Sequence, residues 1–460
     1  MPWLLNFAYL ALICAATPWL LVRSLRQGKY RSGWRQKFCG DVPELERIAV
    51  RVWFHAVSVG EVLLLRGLIA ELRSRRPDVD VVVTTTTVTG HDLARRQYPD
   101  LTVCYCPLDF SWAVRRALLR LKPTALVLAE LELWPNLILA ASERGVRLAI
   151  VNGRLSENSF RGYRKLRPLI ARLLKRFDVI AVQSDEYAER FLALGAAANR
   201  VAVTGSVKYD GVCTDRGNPQ TLELRKAFEI GDDEPVLIAG STQQPEEEYA
   251  IAAWKELTAE FPNLRLILVP RHKERFEEVA QVVIRQGLPI VRRSRGQSED
   301  RGQRSEVSSR HQDSSPGHQA PGTRHQSHAR SPILLLDTLG ELGACWGLAD
   351  IAFVGGSLTS RGGQNMIEPA AYGAAVLFGP DTRNFRDAVQ LLLSAEAAIV
   401  VRDQSELTAA VRRLLSDRDE RRAMGDRACA AVTAHRGATG RTLELLLDGV
   451  MNNERVRRAA

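Results

Sequence analysis

The stretch Leu264-Arg265-Leu266-Ile267-Leu268-Val269-Pro270-Arg271-His272 decides the fold. An apolar run of this length, closed by Arg-His, reads as a buried parallel strand whose carboxyl end carries charge. Downstream follow Asp337 to Leu342 (DTLGEL), Gly355-Gly356-Ser357, and Gly362 to Pro369 (GGQNMIEP). A strand ending in Arg-His, a Gly-rich turn and a late Glu at a helix start are the parts of a nucleotide-sugar pocket. The glycines let backbone N–H groups approach phosphate oxygens. Arg271 supplies a fixed, forked positive charge, and Glu368 can accept from two ribose hydroxyls. Taken singly, each piece also fits an ordinary βα turn or a surface Arg-His pair; the ordered set favours the pocket.

Working outward, short apolar runs recur along the chain. The first half holds 51–59, 79–87, 101–108, 125–131, 147–155, 178–184 and 200–207. The second holds 235–241, 264–272, 332–338, 350–357 and 374–380. Near-continuous Val/Ile/Leu runs separated by amphipathic stretches, such as 61–75, predict parallel strands joined by crossover helices. The expected fold class is α/β: two doubly wound, Rossmann-like domains facing a cleft, with ligands at the carboxyl ends of the strands. The expected boundaries are an N-terminal domain over 50–210, a linker over 211–219, a C-terminal domain over 220–430 and a helical tail over 431–460. That tail is expected to cross back onto the first domain.

Length agrees with this division, since 460 residues exceed what one core holds. The net charge of +10 suits an anionic partner, though much of it lies in the N-terminal flank and one insert. Seven scattered cysteines (14, 39, 104, 106, 213, 345, 429) read as reduced thiols. Cys104 and Cys106 share a strand face, but no second Cys/His pair completes a metal site.

Pro2 to Val22 carries no charge, and Asn6 is its one strongly polar interruption. Its length predicts a membrane anchor over 1–22, with a buried N-terminal helix of the globular domain as the alternative, since Pro18 and Asn6 weaken the span. No Lys or Arg precedes it, which argues against a cleaved signal. A basic flank follows over 23–49, with Arg23, Arg26, Lys29, Arg31, Arg35 and Lys37. By the positive-inside rule this places the bulk of the chain in the cytoplasm. Each such cation contributes about 1 kcal/mol against anionic headgroups. From 294 to 330 the chain is polar and low in apolar residues, and it reads as a disordered insert. The irregular spacing of His311, His318, His325 and His328 there argues against a metal site.

The first half carries its own chemistry. Gly60-Glu61 follows a strand, so the Glu61 carboxylate sits where a general base could take a proton from a hydroxyl. It also sits where a helix dipole favours any carboxylate. Glu130 and Glu132 share a strand face, and like charges so close need a cation or bound donor. Lys208, after the last strand of this half, reads as a side chain able to reach a phosphate or carboxylate, or as a solvated linker lysine.

The chain resembles the 3-deoxy-D-manno-oct-2-ulosonic acid (Kdo) transferases. The resemblance rests on FHAVSVGEV (54–62), TTTTVTG (84–90), ELELWPN (130–136), VNGRLSENS (151–159), VTGSVKYD (203–210), IAGST (238–242), PRHKERF (270–276), LDTLGEL (336–342), FVGGSL (353–358) and GGQNMIEPA (362–370). It runs from the N-terminus to about residue 395, the insert excepted. It implies a glycosyltransferase-B fold, a CMP-Kdo donor, the lipid A precursor as acceptor, and attachment to the cytoplasmic face of the inner membrane with its anionic lipids. It implies no metal or other cofactor, no nucleic acid and no obligatory protein partner. Glu61 matches the family's proton acceptor. Glu130 and Lys208 match residues assigned to stabilising the transition state. Arg271, His272, Gly340, Glu341, Leu342, Asn365, Met366, Ile367 and Glu368 match the CMP-binding segments. The chain departs from the usual pattern at Gln243, where His is common, at Lys273, where Pro is common, and at GGQNMIEP in place of GGHNPLEP. A UDP-sugar transferase of the same fold, or an anchored nucleotide-binding protein without activity, stays open at this point.

Overall fold

A computed structural model of the chain describes residues 6, 7, 9–11, 32–295 and 331–451. It divides into two compact units: residues 1–211 with 435–460, and residues 212–434.

The first unit is built on seven strands: β1 (Arg51–His55), β2 (Asp80–Thr85), β3 (Thr102–Tyr105), β4 (Ala125–Ala129), β5 (Arg147–Gly153), β6 (Val179–Val182) and β7 (Val201–Val203). Their order is β3-β2-β1-β4-β5-β6-β7, and every neighbouring pair is parallel. β1 and β4 are buried at every residue. This is why they read as unbroken apolar runs rather than alternating ones. The sheet order reverses between β1 and β4, which opens a crevice at their carboxyl ends. Helix Val59–Arg75 leaves β1 and buries Val62, Leu65, Leu68, Ile69 and Leu72. Leu443 and Leu446, from helix Ala438–Leu446, are fully buried in the same core. Burying a leucine contributes about 1.5–3 kcal/mol, so this late helix completes the first unit.

The second unit repeats the plan with β8 (Val236–Thr242), β9 (Arg265–Pro270), β10 (Ile290–Arg292), β11 (Ile333–Leu335), β12 (Ile351–Val354), β13 (Ala375–Phe378) and β14 (Ala398–Val400). The order is β10-β11-β9-β8-β12-β13-β14, again all parallel, with the reversal between β8 and β12. The doubly wound architecture thus holds in both units. β14 has no counterpart among the expected strands, because three half-buried residues give too short a pattern.

Most of Pro2 to Val22, read as an anchor, lies outside the described residues. Among the described residues no helix is long and apolar enough to cross a membrane. Asn6 is buried, and its amide bonds to Ser111 (2.8 Å) and Asn136 (3.4 Å). Tyr9 donates to Asp109 (3.1 Å). The polar atoms that interrupt the apolar run therefore have protein partners in the first unit. Residues 296–330 of the insert, with its four histidines, also lie outside the described residues. Ser294 belongs instead to the fold, where its N–H and hydroxyl both go to Asp337 (2.8 and 2.6 Å). The six described cysteines are free, and burial pushes the Cys104 thiol up to about 12.

Candidate functional site

In the first unit three nominated residues converge on the crevice between β1 and β4. Glu61 lies in the first turn of helix Val59–Arg75, whose N-cap is Ser58. Its carboxylate accepts the Val57 N–H (2.7 Å) and the Ser58 hydroxyl (3.0 Å). These bonds fix its orientation and leave lone pairs for a further donor. Glu61 therefore satisfies its helix terminus and keeps acceptor capacity, so the two readings of this residue are compatible. Burial raises its pKa above the ordinary carboxylate value, and the nearby Glu130 charge adds to this. The Val57 and Ser58 donors and the Lys208 cation pull the other way.

Glu130 follows β4 with φ 57°, a left-handed conformation that non-glycine residues rarely adopt. Its N–H bonds to the Val151 carbonyl (2.9 Å), which ties the turn to β5. The turn is fixed on its far side by Asp109, which accepts the Asn136 and Leu137 N–H groups (3.0 and 2.8 Å) at the start of helix Pro135–Glu143. Glu130 faces Lys208 (Nζ to Oε1, 3.4 Å) and Arg154 (4.0 Å). Lys208 is held by the turn Val207–Tyr209, where the Val207 N–H donates to Asn152 Oδ1 (3.1 Å). Asn152 is itself left-handed, at φ 53°. With Lys208 39% exposed, this ion pair contributes about 0–1 kcal/mol. Both charges thus remain available to a ligand.

Glu132 belongs to the same group. Burial pushes its pKa up to about 7, and the Glu61 and Glu130 charges add to the effect. Sequence reasoning pairs it with Glu130 but gives it no role. The expected shared strand face does not form, because β4 ends at Ala129 and Glu130 turns left-handed; neither that turn nor the desolvation is legible in the sequence.

In the second unit, Arg271 follows β9 and its N–H bonds to the Thr242 carbonyl (3.1 Å). Its guanidinium acts on Glu368, lowering a pKa that burial raises. Asn365 donates to Glu368 (3.0 Å) and accepts the Ile367 N–H (3.1 Å), so the 365–368 segment is internally locked. A Cβ on Gly343 would lie 4.0 Å from Glu368 Oε2, which sets the turn after Gly340 beside that segment. Gly340 has φ 89°. Glu341 is engaged by Arg293 (3.0 Å) and by the Thr338 hydroxyl, and Leu342 opens helix Leu342–Cys345. Arg271, Gly340 to Leu342, and Asn365 to Glu368 are therefore brought together. Met366 and Ile367 bury their side chains, and the Ile367 N–H and the Met366 carbonyl are already engaged within this segment. His272 is exposed as the N-cap of the turn Lys273–Arg275.

The Gly-rich turn after β12 differs from its sequence reading, which points its N–H groups at phosphate. They go instead to Glu246: Gly356 (2.7 Å), Ser357 (3.0 Å) and Leu358 (2.9 Å), with Gln243 as a fourth donor (2.9 Å). The Gly355 N–H goes to Gly240 (2.9 Å). Glu246 lies 110 residues away along the chain, so no local pattern could have shown this partner. Among the described residues no group of three or more His, Cys, Asp or Glu side chains is arranged to hold a metal ion.

Comparison with known proteins agrees with this geometry. Residues 28–211 match the family model described as 3-deoxy-D-manno-octulosonic-acid transferase (kdotransferase), and residues 352–446 match a glycosyl transferase-like model. A 3-deoxy-D-manno-octulosonic acid transferase of Bordetella pertussis is 35% identical, over 87% of this chain and 88% of that one. Its counterpart in Haemophilus influenzae is 31% identical, over 86% of each. A putative UDP-N-acetylglucosamine 2-epimerase from Listeria monocytogenes shares the fold, with a TM-score of 0.56 over 88% of this chain and 98% of that one, at 14% identity. Two parallel α/β units, the clustered Glu61, Glu130 and Lys208, and relatives matched along most of their length lead to one assignment: the chain is a glycosyltransferase belonging to the 3-deoxy-D-manno-octulosonic acid transferase family.

Proposed function

We propose that the chain moves Kdo from CMP-Kdo to a hydroxyl of the lipid A precursor, inverting the anomeric centre, in lipopolysaccharide synthesis. The observation that carries this is the convergence of Glu61, Glu130 and Lys208 in one crevice, the three residues to which the resemblance assigns catalysis. Glu61 takes the proton of the acceptor hydroxyl. That oxygen bonds to the anomeric carbon as the carbon–oxygen bond to phosphate breaks, and CMP departs with the electron pair. Lys208 offsets charge on the departing phosphate; a preorganised donor of this kind contributes about 3 kcal/mol. Glu130 keeps the Lys208 ammonium in place. Arg271 and Glu368, with the turn over Gly340 to Leu342, are the residues read as holding CMP.

The reaction is read as independent of metal, so treatment with EDTA is expected to leave turnover unchanged. Attachment to the cytoplasmic face of the inner membrane, through the uncharged run Pro2 to Val22 and its basic flank, is part of the same reading. Deleting residues 2–22 is expected to move the protein from the membrane to the soluble fraction.

The test is CMP release from CMP-Kdo by full-length protein in detergent, with and without tetraacylated lipid A precursor. Acceptor-dependent release that disappears in Glu61→Gln, while CMP still binds, is the expected result. Wild-type protein that is folded but releases no CMP with this pair would sink the assignment. The mass of the lipid product counts the sugars transferred.

A further inference from the structure

The crevice between β8 and β12 in the second unit holds an anion of the protein's own. Glu246 has no exposed surface and opens helix Glu246–Leu257. Its two oxygens accept four backbone N–H groups: Gln243 and Gly356 on Oε2, Ser357 and Leu358 on Oε1. The fit is close, since a Cβ on Gly355 would lie 2.7 Å from Oε2 and 2.5 Å from the Thr242 Cα. A helix N-terminus after the first strand, facing a Gly-rich turn at the switch point, is where doubly wound folds bind a diphosphate. Here that turn's donors are already used. The same helix start also carries Glu247 and Glu248, of which Glu247 is paired with Arg275 (2.6 Å).

We infer that Glu246 is a specificity-determining residue: it fills the anion-binding nest that a second phosphate would use, and so selects a nucleoside monophosphate-linked donor over a diphosphate-linked one. Two effects act together. The nest offers an incoming phosphate no free N–H, and the resident carboxylate repels it. A neutral carboxyl could not replace the anion, because its hydroxyl would point a donor at donors. Burial raises the Glu246 pKa while the four N–H groups lower it. Gly356 also ties the nest to the turn that precedes Asn365, since its carbonyl accepts the Gly363 N–H (2.8 Å).

This inference rests on the CMP-linked donor proposed above and sharpens it. The experiment measures binding of CMP and CDP to the full-length protein in detergent by calorimetry, for wild type and Glu246→Gln. Wild type is expected to bind CDP at least about tenfold more weakly than CMP, with the gap shrinking to about threefold or less in the variant. CDP binding as tightly as CMP in wild type, or an unchanged ratio in a folded variant, overturns the inference. Wild-type hydrogen exchange decides the matter even if the variant does not fold. Amides 243 and 356–358 are expected to be protected without ligand and unchanged by saturating CMP. New protection there on CMP binding would assign the nest to the ligand and overturn the proposal. Failure of CMP to bind wild type at all would sink the donor reading itself, and this inference with it.

Discussion

Both units reverse strand order at one point, and both place glutamates there. Between β1 and β4, Glu61 and Glu130 are only half-buried, and Lys208 stands 3.4 Å from Glu130. Between β8 and β12, Glu246 is sealed, with four N–H groups on its carboxylate. The topology is shared, so the difference lies in what the turn residues offer. In the first unit Val57 and Ser58 satisfy part of one carboxylate and leave capacity over. In the second, four amides close around the anion. The same fold position thus leaves a carboxylate open in one unit and closes around it in the other.

The comparison breaks most decisively at Glu61. Glu61→Gln is expected to lower kcat by about 10²–10⁴-fold with CMP binding retained, measured as acceptor-dependent CMP release. A loss below about tenfold would remove Glu61 from the role of base. Lys208→Ala comes next, with an expected loss of about 10²–10³-fold in kcat.

Stability should separate the two crevices in the opposite sense. Gly355→Ala forces a methyl group against Thr242 and Glu246, at an expected cost of about 1–3 kcal/mol in chemical denaturation. Gly60→Ala meets nothing closer than Ser58 Oγ at 3.9 Å, and should change stability by less than about 1 kcal/mol. Equal effects at the two glycines would erase the distinction between an open and a filled crevice.

The smallest expected effects concern pH. As the proposed base, Glu61 must be ionised, so kcat/KM is expected to fall as pH drops through its pKa, which lies above the ordinary carboxylate value. Glu130→Gln removes a like charge and should move that acidic limb to lower pH, whereas Lys208→Ala should move it higher. Glu132 titrates near pH 7 in the folded protein, against 4.5 for an ordinary glutamate in the unfolded chain. The folded form therefore holds the proton more tightly, and stability is lost as pH rises from about 4.5 through 7. Glu132→Gln should accordingly raise Tm more at pH 8 than at pH 4. A uniform shift would show that folding does not raise the Glu132 pKa.

Much of this is legible in the sequence because parallel strands buried on both faces cannot hide: β1 and β4 are buried throughout, and Pro270-Arg271-His272 marks a strand end plainly. Glu61 and Glu130 follow such strands and Lys208 follows the less buried β7, so their positions after strand ends place all three at one rim of the sheet. What escapes are partnerships across long stretches of chain. Glu246 meets Gly356 across 110 residues, and Asn152 meets Val207 across 55. Neither leaves a periodic trace. The left-handed Glu130 escapes for another reason: only glycine advertises a positive φ, and here a glutamate adopts it.

The helix Ala438–Leu446 belongs to the first unit, although the chain leaves that unit at residue 211. Asp210 fastens the return, accepting the Gly437 and Thr439 N–H groups at 2.5 Å each. This sets an order on biosynthesis. Residues 212–434 can complete their sheet while the chain is still being made, yet the first seven strands wait with an uncovered core until Leu443 and Leu446 emerge. The part translated first is finished last, and its exposed apolar surface through that interval is where a chaperone would be needed most.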